Sequence, residues 1–499
     1  MNKPTLRTRT AMLAALSPFF TISAAMADDF NVTSTADDGG PNTLRSAIIT
    51  ANNIPGSDTI FIPVGVITLT SGLPPLGDGI TIVGAGPADS IVEGSVIRND
   101  PSVDWRIFGV APGNTVTLRD LTIRHGVCEV QTGFTGFGGG IRNGGTMTLD
   151  NVLVADNNVR ILGVSTTKGS ESQGGGISNN GTMTILNSTI SGNVITGGVG
   201  LGEGGDARGG GIHTVGGTTL TMINSTISGN SAGGGTGVTA GGDAHGGGIF
   251  VESPANVIIT RCTVYNNAVQ GGDGTVGDSG KGMGGGIAAV DDAIEKVRLR
   301  LCTISGNNAG PVEGQGGGIY TGAGMTIDSC TITNNTAASE NGGGGVAVPP
   351  IAPPIGPAMR NTILSGNFAF SEEDDLRGYL LSKGFNLVGF YSITVGDFDE
   401  DGVDAIATGN FTGAEARVKV LGDYGGPTFT HELLQSSLAY NHGTNDFIVG
   451  DFTATDQRGF PRSASAGLDP LRGMAIPDIG SYELQGVESA VGGAFDLYE

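Results

Sequence analysis

The chain has 499 residues, with 48 acidic against 25 basic side chains and a formal charge of −23. So acidic a chain argues against nucleic acid and anionic lipid as partners. Glycine fills 90 positions without a Gly-X-Y period, which excludes collagen, and 15% charged with 38% apolar residues is too little charge for a disordered chain.

The first 27 residues read as a secretory leader. Lys3, Arg7 and Arg9 form a basic start, residues 11–25 are apolar, and Ala25-Met26-Ala27 is a small-x-small cleavage site. The mature chain is expected to begin at Asp28 and to be secreted, extracellular or held at the outer surface. Loss of those three cations takes its charge from −23 to −26. No later stretch has the length and flanks of a membrane span.

Residues 28–57 are expected to cap a solenoid. Leu44, Ala47, Ile48 and Ala51 share one helical face, and Asn42 or Thr43 can cap the helix. Strand-like segments at 59–62, 67–69 and 80–83 then begin the coils.

From Phe137 to Val346 one unit recurs seven times: a Gly-Gly-Gly-Ile block, an apolar strand, then a Thr-Ile-Ser-Gly-Asn ending. The blocks lie at 138–141, 174–177, 209–212, 246–249, 284–287, 316–319 and, degraded, 342–346, so successive block ends are 36, 35, 37, 38, 32 and 27 residues apart. In 182–193, Met183 and Ile185 alternate with polar residues, Leu186-Asn187 breaks the alternation at a bend, and Ser188 and Ile190 resume it. Two short strands joined by a bend, with a third near the glycine block, make one turn of a solenoid that buries its apolar face only against its neighbours. The predicted fold is an all-β, right-handed parallel β-helix of roughly ten coils over 58–390, followed by a C-terminal region over 391–499, and a monomer is expected.

Asn193, Asn230, Asn267, Asn307, Asn335 and Asn367 close successive units. Stacked at about 4.8 Å, the strand spacing, their amides can form a ladder that satisfies otherwise buried polar groups. Between each asparagine and the next glycine block lies a glycine-rich insert projecting to one side, where repeat proteins commonly bind. Glu171, Asp206, Asp243, Glu313 and Glu340 hold one offset from the block, with Lys281 among them. This acidic stripe reads as a solvated edge that discourages aggregation, or as a Ca²⁺- or sugar-binding stripe.

Four cysteines are too few and too scattered for a disulfide scaffold. Cys262, Cys302 and Cys330 share a repeat position with Ser188 and Ser225, an inward site with little room, and read as packed thiols, with a disulfide as the competing reading.

Three segments resemble known families. Residues 30–48, with Leu44-Arg45 and Ala47, resemble the N-terminal module named for its Cys-Ser-Leu-Arg-Glu-Ala motif. Gly425-Gly426-Pro427 through His431, then 455–462, then Asp478-Ile479-Gly480-Ser481-Tyr482-Glu483, are similar to the choice-of-anchor Q domain. The repeats are similar to those of chlamydial polymorphic outer-membrane proteins. These resemblances imply a bacterial secreted or surface right-handed β-helix without an established activity. The resemblance implies a surface anchor at the C-terminal end, whereas residues 492–499 carry no sorting motif, basic tail or membrane segment, so anchoring is left open.

Asp397-x-Asp399-x-Asp401-Gly402, with Asp404 following, places alternate carboxylates before a turn glycine, as the start of a Ca²⁺ loop does, and looks like the loop of FG-GAP repeat proteins. A solvated acidic turn is the competing reading. For catalysis, Asp206 with Arg208 and Asp243 with His245 are candidates, but they recur in matching repeats, and no Ser/His/Asp or Cys/His signature is present. His431, Asp456, Arg458 and Arg462 read as a polar network closing the last coil. The function expected from sequence is a structural or adhesive surface protein, with surface glycans or host and cell-surface proteins as partners. A polysaccharide lyase, hydrolase or epimerase and a cation-dependent carbohydrate-binding protein remain open.

Overall fold

A computed structural model describes residues 27–95, 105–252, 254–290, 297–322, 324–340, 342–349, 357–370, 372–392, 409–444, 455–462 and 476–485. A coil of the repeat region holds five short strands, for example Thr182–Leu186, Thr189–Ser191, Val194–Thr196, Ala207–Arg208 and Ile212–Thr214. Each pairs in parallel and in register with its equivalent one coil on: Thr182 with Thr219, Thr189 with Thr226, Val194 with Ser231, Ala207 with Ala244, Ile212 with Ile249. The chain is therefore the expected parallel β-helix. Val194–Thr196 and Ala207–Arg208 were not anticipated, because strands of three and two residues are too short to show a period.

Alternation along each strand fills the core. Met183, Ile185 and Ile190 point inward and are fully buried, as are Leu220, Met222 and Ile227 one coil on. Each such side chain contributes roughly 1.5–3 kcal/mol by leaving water. The bend between the first two strands is made by a residue in the left-handed region: Asn151, Asn187 and Asn224 at φ 55, 48 and 52°. Asparagine tolerates that conformation. In later coils Arg261, Leu301 and Ser329 occupy the same bend at φ 54, 51 and 52°.

A second turn ends each unit and carries the asparagine ladder. Asn193 Nδ2 donates to Asn230 Oδ1, Asn230 to Asn267, Asn267 to Asn307 and Asn307 to Asn335, each at 2.9 Å, and Asn335 to Asn367 at 2.8 Å. The same oxygens accept the backbone N–H of the preceding asparagine at 3.0 Å. The row extends beyond the six residues expected from sequence. Asn157 precedes it, donating to Asn193 at 2.9 Å, and Asp375 ends it, accepting from Asn367 at 2.7 Å. Burial pushes the Asp375 carboxyl up to about 7, against the pull of the Asn367 and Phe390 N–H donors.

The helix Leu44–Ala51 covers the first coil. Thr43 caps it, its side chain accepting from the Ser46 N–H, and Leu44, Ala47, Ile48 and Ala51 are its buried face. Arg45 fastens it through a pair to Asp37 at 2.7 Å.

The C-terminal motif lies elsewhere than expected: it packs along the flank of four coils, those of Thr263, Thr303, Thr331 and Asn361, instead of closing the last one. Gln457 bonds Thr263, Thr303 and Thr428, Ser481 meets Thr303 and Thr331, and His431 Nε2 lies 2.9 Å from Ser305 Oγ. The outward Thr and Ser hydroxyls of these strands supply the docking row. Within the segment Arg458 pairs with Asp456 at 2.7 Å, and Arg462, fully buried, donates to the Asp478 and Gly480 carbonyls.

Removing one rung tests the ladder. Asn267→Ala leaves the Asn230 N–H groups and the Asn307 Oδ1 short of partners. It should cost about 2–4 kcal/mol, since each unpaired buried polar group costs about 1–3. A urea unfolding curve unchanged from wild type would show that the ladder does not support the fold.

Candidate functional site

The glycine-rich inserts are ordered and form a second, outer stack. Val164 lies in register with Val199, Gly200 with Gly237 and Gly237 with Gly274, Glu203 with Ala240 and Ala240 with Asp278. Backbone bonds of 2.8–2.9 Å zigzag through it: Gly198 N to Ser170 O, Gly205 N to Gly198 O, Gly235 N to Gly205 O, Gly242 N to Gly235 O, Gly272 N to Gly242 O and Gly280 N to Gly272 O. The two legs of each loop touch backbone to backbone. A Cβ at Gly205 would stand 2.0 Å from Ser170 O, and one at Gly242 2.0 Å from Gly205 O, so only glycine fits there. The outcome is a fin whose edge exposes Val164, Val199, Leu201, Val238 and Val276, the last at 85%.

At the foot of the fin runs the acidic stripe. Glu171, Asp206, Asp243 and Lys281 each precede an in-register strand pair, so they stack in successive coils. Much of this stripe is satisfied from within. Asp206 Oδ1 accepts the Asp243 N–H at 3.1 Å, and Asp243 Oδ1 accepts the Lys281 N–H at 2.7 Å. Arg208 bridges Glu171 at 2.9 Å and Asp206 at 3.3 Å, and Lys168 also reaches Asp206 at 3.3 Å. Lys281 lies 3.9 Å from Glu313, while Glu340 is exposed. Among the described residues no group of three or more His, Cys, Asp or Glu is arranged to hold a metal ion. Asp397, Asp399, Asp401 and Asp404 lie outside the described residues.

Beside the stripe, across the glycine block, two outward columns face each other. One runs Gln173, Arg208, His245, Met283 and the other Ser178, His213, Phe250, Ala288. The first glycine of each block turns the chain at positive φ, 68° at Gly174 and 76° at Gly209, which brings the columns together. His213 is fully buried, stacked on Phe250 with ring centres 5.5 Å apart, and His245 tilts against the same ring at 5.4 Å. His213 Nε2 stands 3.5 Å from Glu252, the limit of a hydrogen bond, and Nδ1 of both histidines lacks a hydrogen-bond partner among the described residues. Burial holds both imidazoles below their ordinary value, against the pull of Glu252 on His213 and Asp243 on His245. The sequence-level pairs Asp206 with Arg208 and Asp243 with His245 are thus brought to one corner. In the sequence His213 reads as an isolated structural or solvated histidine, and Phe250 and Glu252 were missed, because only the coil register places them there.

The profile of the right-handed β-helix region matches residues 76–348. No curated protein matches the chain. Among solved structures, the pectate lyase Pel9A superposes with a TM-score of 0.45 at 15% identity, over 91% of this chain and 96% of that one. The A-module of the mannuronan C-5 epimerase AlgE4 of Azotobacter vinelandii gives 0.30 at 13% identity, over 70% and 95%. ORF18 of Geobacillus virus E2 gives 0.28 at 12%, over 71% and 61%.

The buried histidines predict a pH dependence. A neutral folded His213 means that, below its ordinary value of about 6.5, the unfolded chain binds the proton more readily. Stability then falls as pH drops through that window, by at most about 1.4 kcal/mol per pH unit for one such group. His213→Phe should flatten the acid-side loss in urea unfolding, His245 retaining its share. An unchanged slope would show that His213 does not titrate with unfolding.

Proposed function

The chain belongs to the right-handed β-helix family, and we propose that it is a secreted or cell-surface structural protein that adheres through the edge of its glycine fin. The observation that carries this reading is the fin itself. Loops of successive coils are locked backbone to backbone and expose aliphatic side chains along their edge, Val164 opposite Val199 and Leu201 opposite Val238, with Val276 beyond them. Exposed apolar side chains suit contact with a partner surface, and the stack holds them in place before contact, which lowers the ordering cost of binding. The partner class proposed is a cell-surface protein, with surface glycans as the competing class. The resemblances to the Cys-Ser-Leu-Arg-Glu-Ala module and the choice-of-anchor Q domain support export and a surface location.

Two variants test the fin. Leu201→Ser with Val276→Ser should reduce adhesion to immobilised cell-surface protein while leaving the melting curve unchanged. Gly242→Ala, whose Cβ would meet the Gly205 carbonyl oxygen at 2.0 Å, should reduce adhesion together with a clear fall in melting temperature. Adhesion unaffected by either variant would remove the fin from the reading.

A polysaccharide-active enzyme is the second reading, favoured by the corner that gathers Asp206, Arg208, Asp243 and His245. Turnover of pectins, uronates or neutral glycans by the wild type, lost in Asp243→Asn, would establish it over the first.

We also propose one Ca²⁺ on Asp397, Asp399 and Asp401, with Asp404 contributing. A cation bound only by the folded state adds about 2.7 kcal/mol at a hundredfold excess over its dissociation constant. Wild type should melt higher in millimolar Ca²⁺ than in chelator, and Asp399→Ala should not. Identical wild-type curves would leave a solvated turn, and a full response in Asp399→Ala would move the ion elsewhere.

A further inference from the structure

Cys262, Cys302 and Cys330 occupy one inward column in successive coils. The threonines that follow them, Thr263, Thr303 and Thr331, are paired in register from coil to coil. All three thiols are buried in the main core, and each donates to the carbonyl two residues back, Thr260, Arg300 and Asp328, at 3.3, 3.1 and 3.3 Å. They therefore share one orientation. In-register neighbours on parallel strands are about 4.8 Å apart, inside the Cα separation of about 4.4–6.8 Å that a disulfide spans. Two coils are about twice that spacing and lie outside it. Cys128 belongs to a different cluster.

All four cysteines are thiols in this structure. We propose that, in an oxidising compartment, Cys302 forms a single cross-coil disulfide with Cys262 or Cys330, so that the middle thiol is always used and one outer thiol stays reduced. The oxidant is a disulfide donor, either a small-molecule disulfide or a protein disulfide carrier. The Cys302 thiolate attacks one donor sulfur and displaces the other as a thiol, giving a mixed disulfide. The neighbouring cysteine then attacks Cys302 Sγ and displaces the second donor sulfur as a thiol. Two cysteine protons are lost, and the donor disulfide takes up two electrons and becomes two thiols. Burial pushes the Cys262 and Cys330 thiols well up, which slows exchange in the closed core. The bond therefore forms as neighbouring coils come into register and before the core seals. It would staple the coils onto which Gln457 and Ser481 dock.

Expression of the full chain into an oxidising periplasm, followed by alkylation in denaturant and mass spectrometry, reads the thiol count directly. Wild type should show two alkylated cysteines and a peptide cross-link containing Cys302. Cys262→Ser and Cys330→Ser should each keep one disulfide and one alkylated thiol. Cys302→Ser should show three alkylated thiols and no bond. Serine already occupies this column at Ser188 and Ser225, so these variants are expected to fold, which the β-sheet circular dichroism signal checks. Four alkylated thiols in folded wild type, a wild-type bond that omits Cys302, or a disulfide in Cys302→Ser would overturn the proposal.

Discussion

Everything in this molecule depends on strict register between coils. A single coil leaves its backbone N–H and C=O groups pointing along the axis, and only the next coil, in the same register, can pair them. A slip by one residue would turn every inward Ile, Met and Leu to solvent. It would also break the asparagine row, because each Oδ1 accepts both a side-chain and a backbone N–H from its predecessor. Apolar alternation and polar ladder thus enforce the same register, and the agreement of the two gives the long chain one arrangement.

The same register accounts for the outer features. The fin exists because inserts of nearly equal length begin and end at fixed points of each coil, so their backbones meet at strand spacing. Where Cβ atoms would collide, glycine recurs. The acidic stripe likewise puts the Asp206 and Asp243 carboxylates beside the backbone N–H of the following coil. Like-charge repulsion between these stacked carboxylates is relieved by hydrogen bonds and by Arg208 and Lys168. The docked C-terminal segment reads the flank in the same way, through hydroxyls repeated at one outward position.

The main architecture was legible in the sequence because the repeat is periodic at two scales, alternation along a strand and recurrence of Gly-Gly-Gly-Ile and Ser-Gly-Asn between coils. The cap helix was legible from Leu44, Ala47, Ile48 and Ala51. What escaped was non-periodic or long-range. Val194–Thr196 is too short to alternate. Asp375 closes the ladder only eight residues after Asn367, outside the repeat spacing. Poly-glycine inserts read as loops, since their order comes from backbone contacts that leave no mark on side-chain pattern. The C-terminal motif could be recognised, but not its place on the flank, which depends on Thr263, Thr303 and Thr331 more than a hundred positions away. At the corner, Asp206, Arg208, Asp243 and His245 were visible as repeats, whereas His213 and Glu252 were not, because a buried outward histidine looks like any isolated one.

The asparagine row has a direction. Every amide donates toward the following coil, so the side-chain dipoles add head to tail along the axis, as peptide dipoles do in a helix. The two ends of the row are therefore unlike. Its donor end meets a carboxylate, Asp375, where the local field favours negative charge, and beside that residue Phe368–Ala369 turns back to pair antiparallel with Glu372–Glu373. The row could accept another whole coil anywhere along its length without changing this polarity, but a coil inserted in the reverse sense would set two donors, or two acceptors, against each other. A one-way electrostatic thread of this kind gives the scaffold a sense of growth and a defined stop.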